Sequence, residues 1–492
     1  MLGVEGTPLK RLLVVASLIA ACGKSIPPAP DVPPAPGVSG PAWLGFGNNA
    51  QHVANSAIAT RHLARVRWVA PVDLDPQYTD DGELLVHYGS PAITSNNTVV
   101  FPVKQGADGQ FRIEARSGTN GGLLWAYSTS YGEPPHDWLP PYSVTVDASN
   151  KLYAVDGGGL LDVWDRVDTA QPTRLSYRFY GSTLDPAVIA DTPVTVDAAG
   201  NAYFGFLLNG ASTLPGGGIA RVSAAGAGTW VSASTISGDA SVTQAAMNSA
   251  PALSPDGGTL YVAVDSSDHP NGYLLALDSA TLAIKARVLL VDPVTGDPAT
   301  VDDNATSSPA IGPDGDVYLG VIESAPGAHG SRGWLLHFNP DLSTSFTPGG
   351  FGWDDTASVV PASMVASYTG PSKYLVMTKY NDYAGGVNRL AVLDPHDSQA
   401  DDISTARVMK EVLVIEGPRE FCVNTAAVDP ATKSILVGNE DGNLYRWDLS
   451  SNTFTERLSL TPGVGEAYTP TAVGADGAVY AISNAVLFSI GN

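Results

Sequence analysis

The side chains with the most chemical potential share one kind of place in the chain. His136, Asp137 and Trp138, then Asp191, Asn248, Asp302, Asp303, Asn304, Asp355, Asn424 and Glu466, each sit a few residues ahead of a short run rich in small and β-branched residues. Carboxylate and amide oxygens brought together in this way can hold a hard cation such as calcium, which takes oxygen ligands. Asp302, Asp303 and Asn304 are the metal candidates. His136, Asp137, Trp138, Asp191, Asn248, Asn424 and Glu466 are the candidates for holding a ligand. None of them shows the regular spacing of a dedicated calcium loop. The more ordinary reading is a set of turn caps lining a solvated funnel.

Other chemistry is sparse. Cys422 has Arg419 nearby in sequence but no histidine, so it reads as a buried inert thiol rather than a nucleophile. Trp138, Tyr142, Trp353, Tyr380 and Tyr383 could line a pocket, although such residues more often pack one loop on the next. Gly-x-Ser-x-Gly, His-Glu-x-x-His, a phosphate loop and a haem-binding Cys-x-x-Cys-His are all absent.

The elements that must position these residues repeat. SAPALSPDGGTLYVAVD from Ser249 reads as a short strand, a tight Asp-Gly turn and a second strand. The pattern returns as SPAIGPDGDVYLGV from Ser308, TPVTVDAAGNAYFGF from Thr192, SVTVDASNKLYAVD from Ser143 and TPTAVGADGAVYAIS from Thr469. Weaker copies begin at Ser90, Ser358 and Asn424. The apolar marker of each second strand is Phe101, Tyr153, Tyr203, Tyr261, Tyr318, Leu375, Leu436 and Tyr480, at intervals of 44 to 61 residues. That spacing predicts an all-β, eight-bladed β-propeller with four strands to a blade. Seven blades are the alternative, because the copy near Ser358 is degraded. The last copy is one strand short, while Val66–Val69 precedes the first full copy and has no blade. Pairing the two would complete the ring and hide both edges.

Turns of the PDGG type fall between first and second strands. The long loops, such as Leu208–Gly218, Glu323–Gly333 and Tyr380–Asn388, fall between second and third strands or between blades. Alternation of strand direction then puts tight turns on one face and long loops on the other, and long loops on a rigid scaffold are where binding is expected. The Asp-Gly pairs at 256–257, 314–315, 441–442 and 476–477 read as turn formers rather than ligands. Trp125, Trp164, Trp230 and Trp447 read as outer-strand packing.

Charge and cysteine content narrow the partners. A net charge of -23 with 15% charged residues, and no basic stripe, excludes nucleic acid. With 2 cysteines, one of them at position 22, no disulfide framework is available. Lys10-Arg11, the apolar run Leu12–Ala21 and then Cys22 resemble a bacterial lipobox, in which the cysteine is lipidated and becomes the new N-terminus. Gly23 rather than aspartate favours the outer membrane. SIPPAPDVPPAPGVSGP from Ser25 to Pro41 reads as an extended tether. The expected organisation is a signal peptide over 1–21, the lipidated cysteine and tether over 22–41, and one propeller over 42–492, with a monomeric chain held extracytoplasmically by its lipid.

From Trp43 the chain also resembles the pyrroloquinoline-quinone-type propeller proteins. The matching residues are Trp43, Gly47, Asn48, His52, Ser56 and Val66–Val69 with Trp68. SGTNGGLLWAY at Ser117–Tyr127 and NEDGNLYRWDLSSNTFTERL at Asn439–Leu458 continue the match. The resemblance implies the propeller fold. Dehydrogenases of that family hold the quinone and calcium in the channel over adjacent cysteines, and this chain has no Cys-Cys pair. It therefore resembles the non-catalytic, lipid-anchored members that scaffold protein assembly. The expectation is a binding or scaffolding module for a protein or small-molecule ligand on the long-loop face, with no quinone and with calcium as the one candidate ion. A divergent quinoprotein, or a calcium-dependent hydrolase or lyase, is the rival.

The lipobox reading makes a direct prediction. Cys22→Ala should move the protein from the membrane to the soluble fraction, and mass spectrometry of the wild-type protein should find a lipidated Cys22 as its first residue.

Overall fold

The computed structural model describes residues 38–107, 109–135, 142–266, 271–301, 307–422, 424–465 and 470–492. It is an all-β ring of eight antiparallel sheets. Blade 1 is typical: Ala92–Ile93 lies at the axis, followed outward by Thr98–Lys104, Phe111–Ser117 and Leu123–Ser128. All eight marker residues lie on second strands, and the degraded copy builds a full sheet of Ser358–Pro361, Tyr374–Lys379, Arg389–Ala400 and Arg407–Glu416. Seven blades are thereby excluded. Blade 5 has three paired strands, and its outer edge is met by the isolated bridges Phe338↔Ser345 and Leu335↔Gly349 and by backbone bonds from Gly352 and Trp353 to Arg332.

Position in the blade sets each strand's pattern. Second strands are packed on both sides by neighbouring blades, so Leu152–Asp156 and Val317–Val321 are buried throughout. Outer strands such as Thr453–Ser459 alternate, because one side meets water. The marker tyrosines have a local cause as well. Asp147 accepts hydrogen bonds from the backbone of Ser149 and Lys151 and, at 3.1 Å, from the Tyr153 hydroxyl. Asp197 does the same with Ala199, Asn201 and Tyr203. One aspartate thus caps the turn and satisfies the buried phenol six residues on.

The ring closes through the expected seam. Arg65–Pro71 pairs antiparallel with Val486–Gly491, from Arg65↔Gly491 to Pro71↔Val486, with a bulge at Arg67. Trp68 also donates from Nε1 to the Gly118 carbonyl of blade 1 at 2.9 Å, so the strand grips the blade on either side of the seam. The tryptophan reading needs one adjustment. Trp125 and Trp230 are on outer strands, whereas Trp164 and Trp447 are on third strands.

Composition does not announce where the stretch before this strand goes. Residues 40–61 run around the axis against the innermost strands. Trp43 exchanges backbone bonds with Ile93 of blade 1, and Leu44 accepts from Val146 of blade 2. Ala50, Gln51, Val53 and Ala54 then accept in turn from Leu253, Ile311, Val359 and Val428 of blades 4 to 7. Arg61 donates to Gly477 of blade 8. Blade 3 is met by side chains, with Phe46, Asn49 and Ala50 facing Val194–Val196. Asn48, His52 and Ala54 have φ of 68°, 57° and 57°, which bends the chain round the axis. His52 is fully buried there, with Nδ1–H donating to the Pro309 carbonyl at 2.8 Å.

Two measurements follow. Deleting Arg65–Ala70 should lower Tm far more than deleting Ser25–Pro36, because only the first uncovers two long edges; equal Tm values would refute the seam. The second concerns pH. Burial lowers the His52 pKa to about 4, against the ordinary 6.5. Above pH 6.5 both folded and unfolded chains leave it neutral. Between 6.5 and 4 the unfolded chain takes up a proton that the folded chain refuses, so stability falls with pH, by about 3 kcal/mol in total, and levels off below 4. His52→Gln should remove that slope from a urea-denaturation series.

Candidate functional site

The long-loop mouth of the channel is the candidate site. The axis beneath it is filled. Ser90, Ser143, Pro193, Asn248, Asn424 and Pro470 surround Phe46 and Tyr88 with a cavity of about 10 Å³. Below Phe46, the space toward His52 and blades 2 and 3 is about 20 Å³. Each is of the order of one water, whereas ligand pockets run to ~300 Å³ and more. The three-ring quinone of the resembled dehydrogenases does not fit among the described axial residues.

Asp191, Asn248 and Asn424 all lie buried at this mouth. Asn248 donates its backbone N–H to the Asp191 carbonyl at 2.8 Å. Asp191 is unusual, since neither carboxylate oxygen has a hydrogen-bond partner. Burial drives its pKa well above the usual carboxylate range. Its Oδ1 lies against Gly205, where a Cβ would approach to 2.7 Å, so this glycine makes the room. His136, Asp137, Trp138, Asp302, Asp303, Asn304, Glu466 and Cys22 fall outside the described residues.

The structure adds a feature that the sequence reading missed. At the long-loop end of their second strands, six blades carry a buried polar residue: Lys104, Asp156, Asp265, Lys379, Asn439 and Ser483. Lys379 pairs with Asp354. Burial opposes the charge of Lys379, but Asp354, with Tyr383, Cys422 and Glu420 around it, more than offsets this and holds the ammonium charged. Asp355 accepts from the Thr378 hydroxyl and, at 2.8 Å, from the Lys379 backbone N–H. Burial nevertheless pushes its pKa up to about 6. In blade 1, Lys104 donates to Gln77 Oε1 at 2.7 Å and lies 3.7 Å from Asp73 Oδ2. The Tyr88 hydroxyl joins Asp73 to the axis at 2.9 Å. Glu133 beside them is pushed up to about 7, mainly by burial. The signal was present in the sequence: TVVFPVK and YLVMTK are apolar strands that each end in one lysine.

Cys422 is buried as expected, and the buried Lys379 lies close enough to interact with it electrostatically. The described aromatics pack loop on loop. Tyr142 stacks on Tyr131 with centroids 4.4 Å apart, Trp353 meets Tyr383 edge-on at 6.1 Å, and Arg332 lies over Tyr380 at 5.3 Å. The loop asymmetry has exceptions. The second-to-third connections of blades 2, 7 and 8 are as short as Gly157–Gly159, Glu440–Gly442 and Asn484–Ala485, while blade 6 has a long connection on the tight-turn face. Chemically, Glu133 and Asp355 are buried carboxyls that exchange protons near neutrality, each beside a buried lysine held in place by an acid partner.

No protein-family model and no curated protein sequence matches the chain. Solved structures do match in shape. A europium-containing methanol dehydrogenase superposes with a TM-score of 0.55 at 10% identity, covering 91% of this chain and 89% of that one. The quinohemoprotein alcohol dehydrogenase of Comamonas testosteroni gives 0.56 at 12% identity, over 92% and 77%. The quinohemoprotein alcohol dehydrogenase ADHIIG of Pseudomonas putida HK5 gives 0.53 at 13%, over 92% and 76%. Likeness at this identity is a likeness of fold, and the chain has the quinoprotein-type, eight-bladed β-propeller fold.

Proposed function

We propose that this protein is a lipid-anchored, extracytoplasmic binding module that holds a protein or small-molecule partner on its long-loop face. The observation that carries this reading is the filled axis. The chain's own residues 40–61 occupy the bore, so a partner has the rim of the long-loop face to bind rather than a deep pocket. Gly40 donates to Ser95 in the first turn of blade 1, so the tether meets the propeller on the tight-turn face. A lipid at Cys22 would then leave the long-loop face pointing away from the membrane. The buried charges beneath that rim support the reading, because pairs such as Lys379–Asp354 hold loop geometry strictly while adding little stability.

A calcium-dependent enzyme is the second reading. Asp191 favours it, being a buried carboxyl with no partner at the mouth.

One set of measurements separates the two. Photocrosslinking residues placed at exposed Thr213 and Ala384 on the long-loop face should capture a discrete partner in intact cells, and those at Ala280 and Ser451 on the tight-turn face should not. The opposite pattern would move binding to the other face. The purified protein should show no quinone absorbance. Saturable calcium binding lost in Asp302→Asn, Asp303→Asn or Glu466→Gln, with Tm unchanged, would favour the enzyme.

A further inference from the structure

A second cluster lies on the tight-turn face, away from the channel mouth. Asp314 and Asp316 occupy the turn between Ala310–Ile311 and Val317–Val321 of blade 5. His337 is on the next strand of the same blade, Trp334–Phe338. His396 comes from blade 6. There the register of Arg389–Ala400 shifts between Asp394 and Ser398, and the resulting bulge carries His396 against its neighbour's turn.

The geometry is close. His396 Nε2 is 3.4 Å from Asp314 Oδ2, and single ligand atoms of Asp314, Asp316 and His396 all lie within 4.8 Å of one another. Neither carboxylate has a lysine or arginine partner among the described residues. His337 is 1% exposed and stacked on Tyr318, with Nε2 2.9 Å from Asp316 Oδ2. Its Nδ1 has no hydrogen-bond partner, and its Nε2 is the ring nitrogen that faces Asp316. The Tyr374 hydroxyl donates to Asp314 Oδ1 at 2.9 Å. Each carboxylate is thus held from behind by a group of the blades, Asp314 by the Tyr374 hydroxyl and Asp316 by His337.

We propose that Asp314, Asp316 and His396 form a site for a divalent transition metal, zinc by preference, with His337 as a positioning residue behind Asp316. Two carboxylate oxygens and an imidazole nitrogen are a zinc-type donor set; calcium and magnesium prefer oxygen alone, and soft ions prefer sulfur. Zinc bonds of about 2 Å need ligand atoms about 3–4 Å apart. Asp314 and His396 are exposed enough to rotate that far, with side-chain exposures of 41% and 39%. Water would fill the fourth position. The ion would tie blade 5, the blade with three paired strands, to blade 6. Asp314 would then be both a turn former, as its Asp-Gly sequence implies, and a ligand.

The test uses the full chain stripped with chelator. Zinc should bind saturably and raise Tm, and cobalt(II) should give the visible absorption of a four-coordinate site. His396→Ala and Asp314→Asn should each abolish the cobalt spectrum and weaken zinc about 30-fold or more, with metal-free Tm unchanged since both side chains are exposed. His337→Gln should weaken zinc about tenfold, the scale of losing a group that orients a ligand. His62→Ala, an exposed histidine elsewhere, should change nothing. Zinc affinity unaltered in both ligand variants, or no saturation by zinc on the order of 100 μM, would overturn the proposal.

Discussion

A ring of sheets has two problems of unpaired backbone. Every blade presents its innermost edge to the axis, and the first and last blades present open flanks to each other. An unpaired N–H or C=O buried away from water costs about 1–3 kcal/mol, so neither edge can be left bare. One stretch near the N-terminus answers both. Residues 40–61 share backbone hydrogen bonds with the inner strands of six blades and with the first turn of blade 8, and Arg65–Pro71 closes the seam. Apolar clusters bridge neighbouring blades in twos and threes, and the main-chain bonds of this stretch add a second connection around the axis.

That solution has a consequence for function. Among the described residues, Phe46 and His52 fill the axis and leave spaces there of about 10 and 20 Å³. The rim lies above them. There, the ends of the second strands carry buried lysines and acids. Two lysines, Lys104 and Lys379, occupy the same position in blades 1 and 6 and are both fully buried. Burying such a charge is unfavourable unless a partner is placed to meet it, which Asp73 with Gln77, and Asp354, provide. The loops that supply those partners are thereby held to the blades beneath them.

The opposite face is built on another economy. There, in blades 2 and 3, a single turn aspartate caps the backbone and accepts from a buried tyrosine, so one short motif serves both. Blade 5 departs from it: its turn aspartates meet two histidines, one of them delivered by a bulge in the next blade.

The chain's own pattern determined the all-β class, the eight copies, the second-strand markers and the closing strand. These depend on local periodicity and on counting strands, and both are written in residue order. The placement of Asp191 and Asn248 near the channel was legible too, because any residue just ahead of an inner strand must lie there. What the sequence did not disclose arises between blades. The filling of the bore by residues 40–61 depends on a circle of inner edges that exists only once eight sheets have closed. The partners of Lys104 and Lys379, and the meeting of His396 with Asp314, join residues brought together by packing across loops or blades. No spacing rule within one repeat encodes those contacts, since the geometry of the ring sets them.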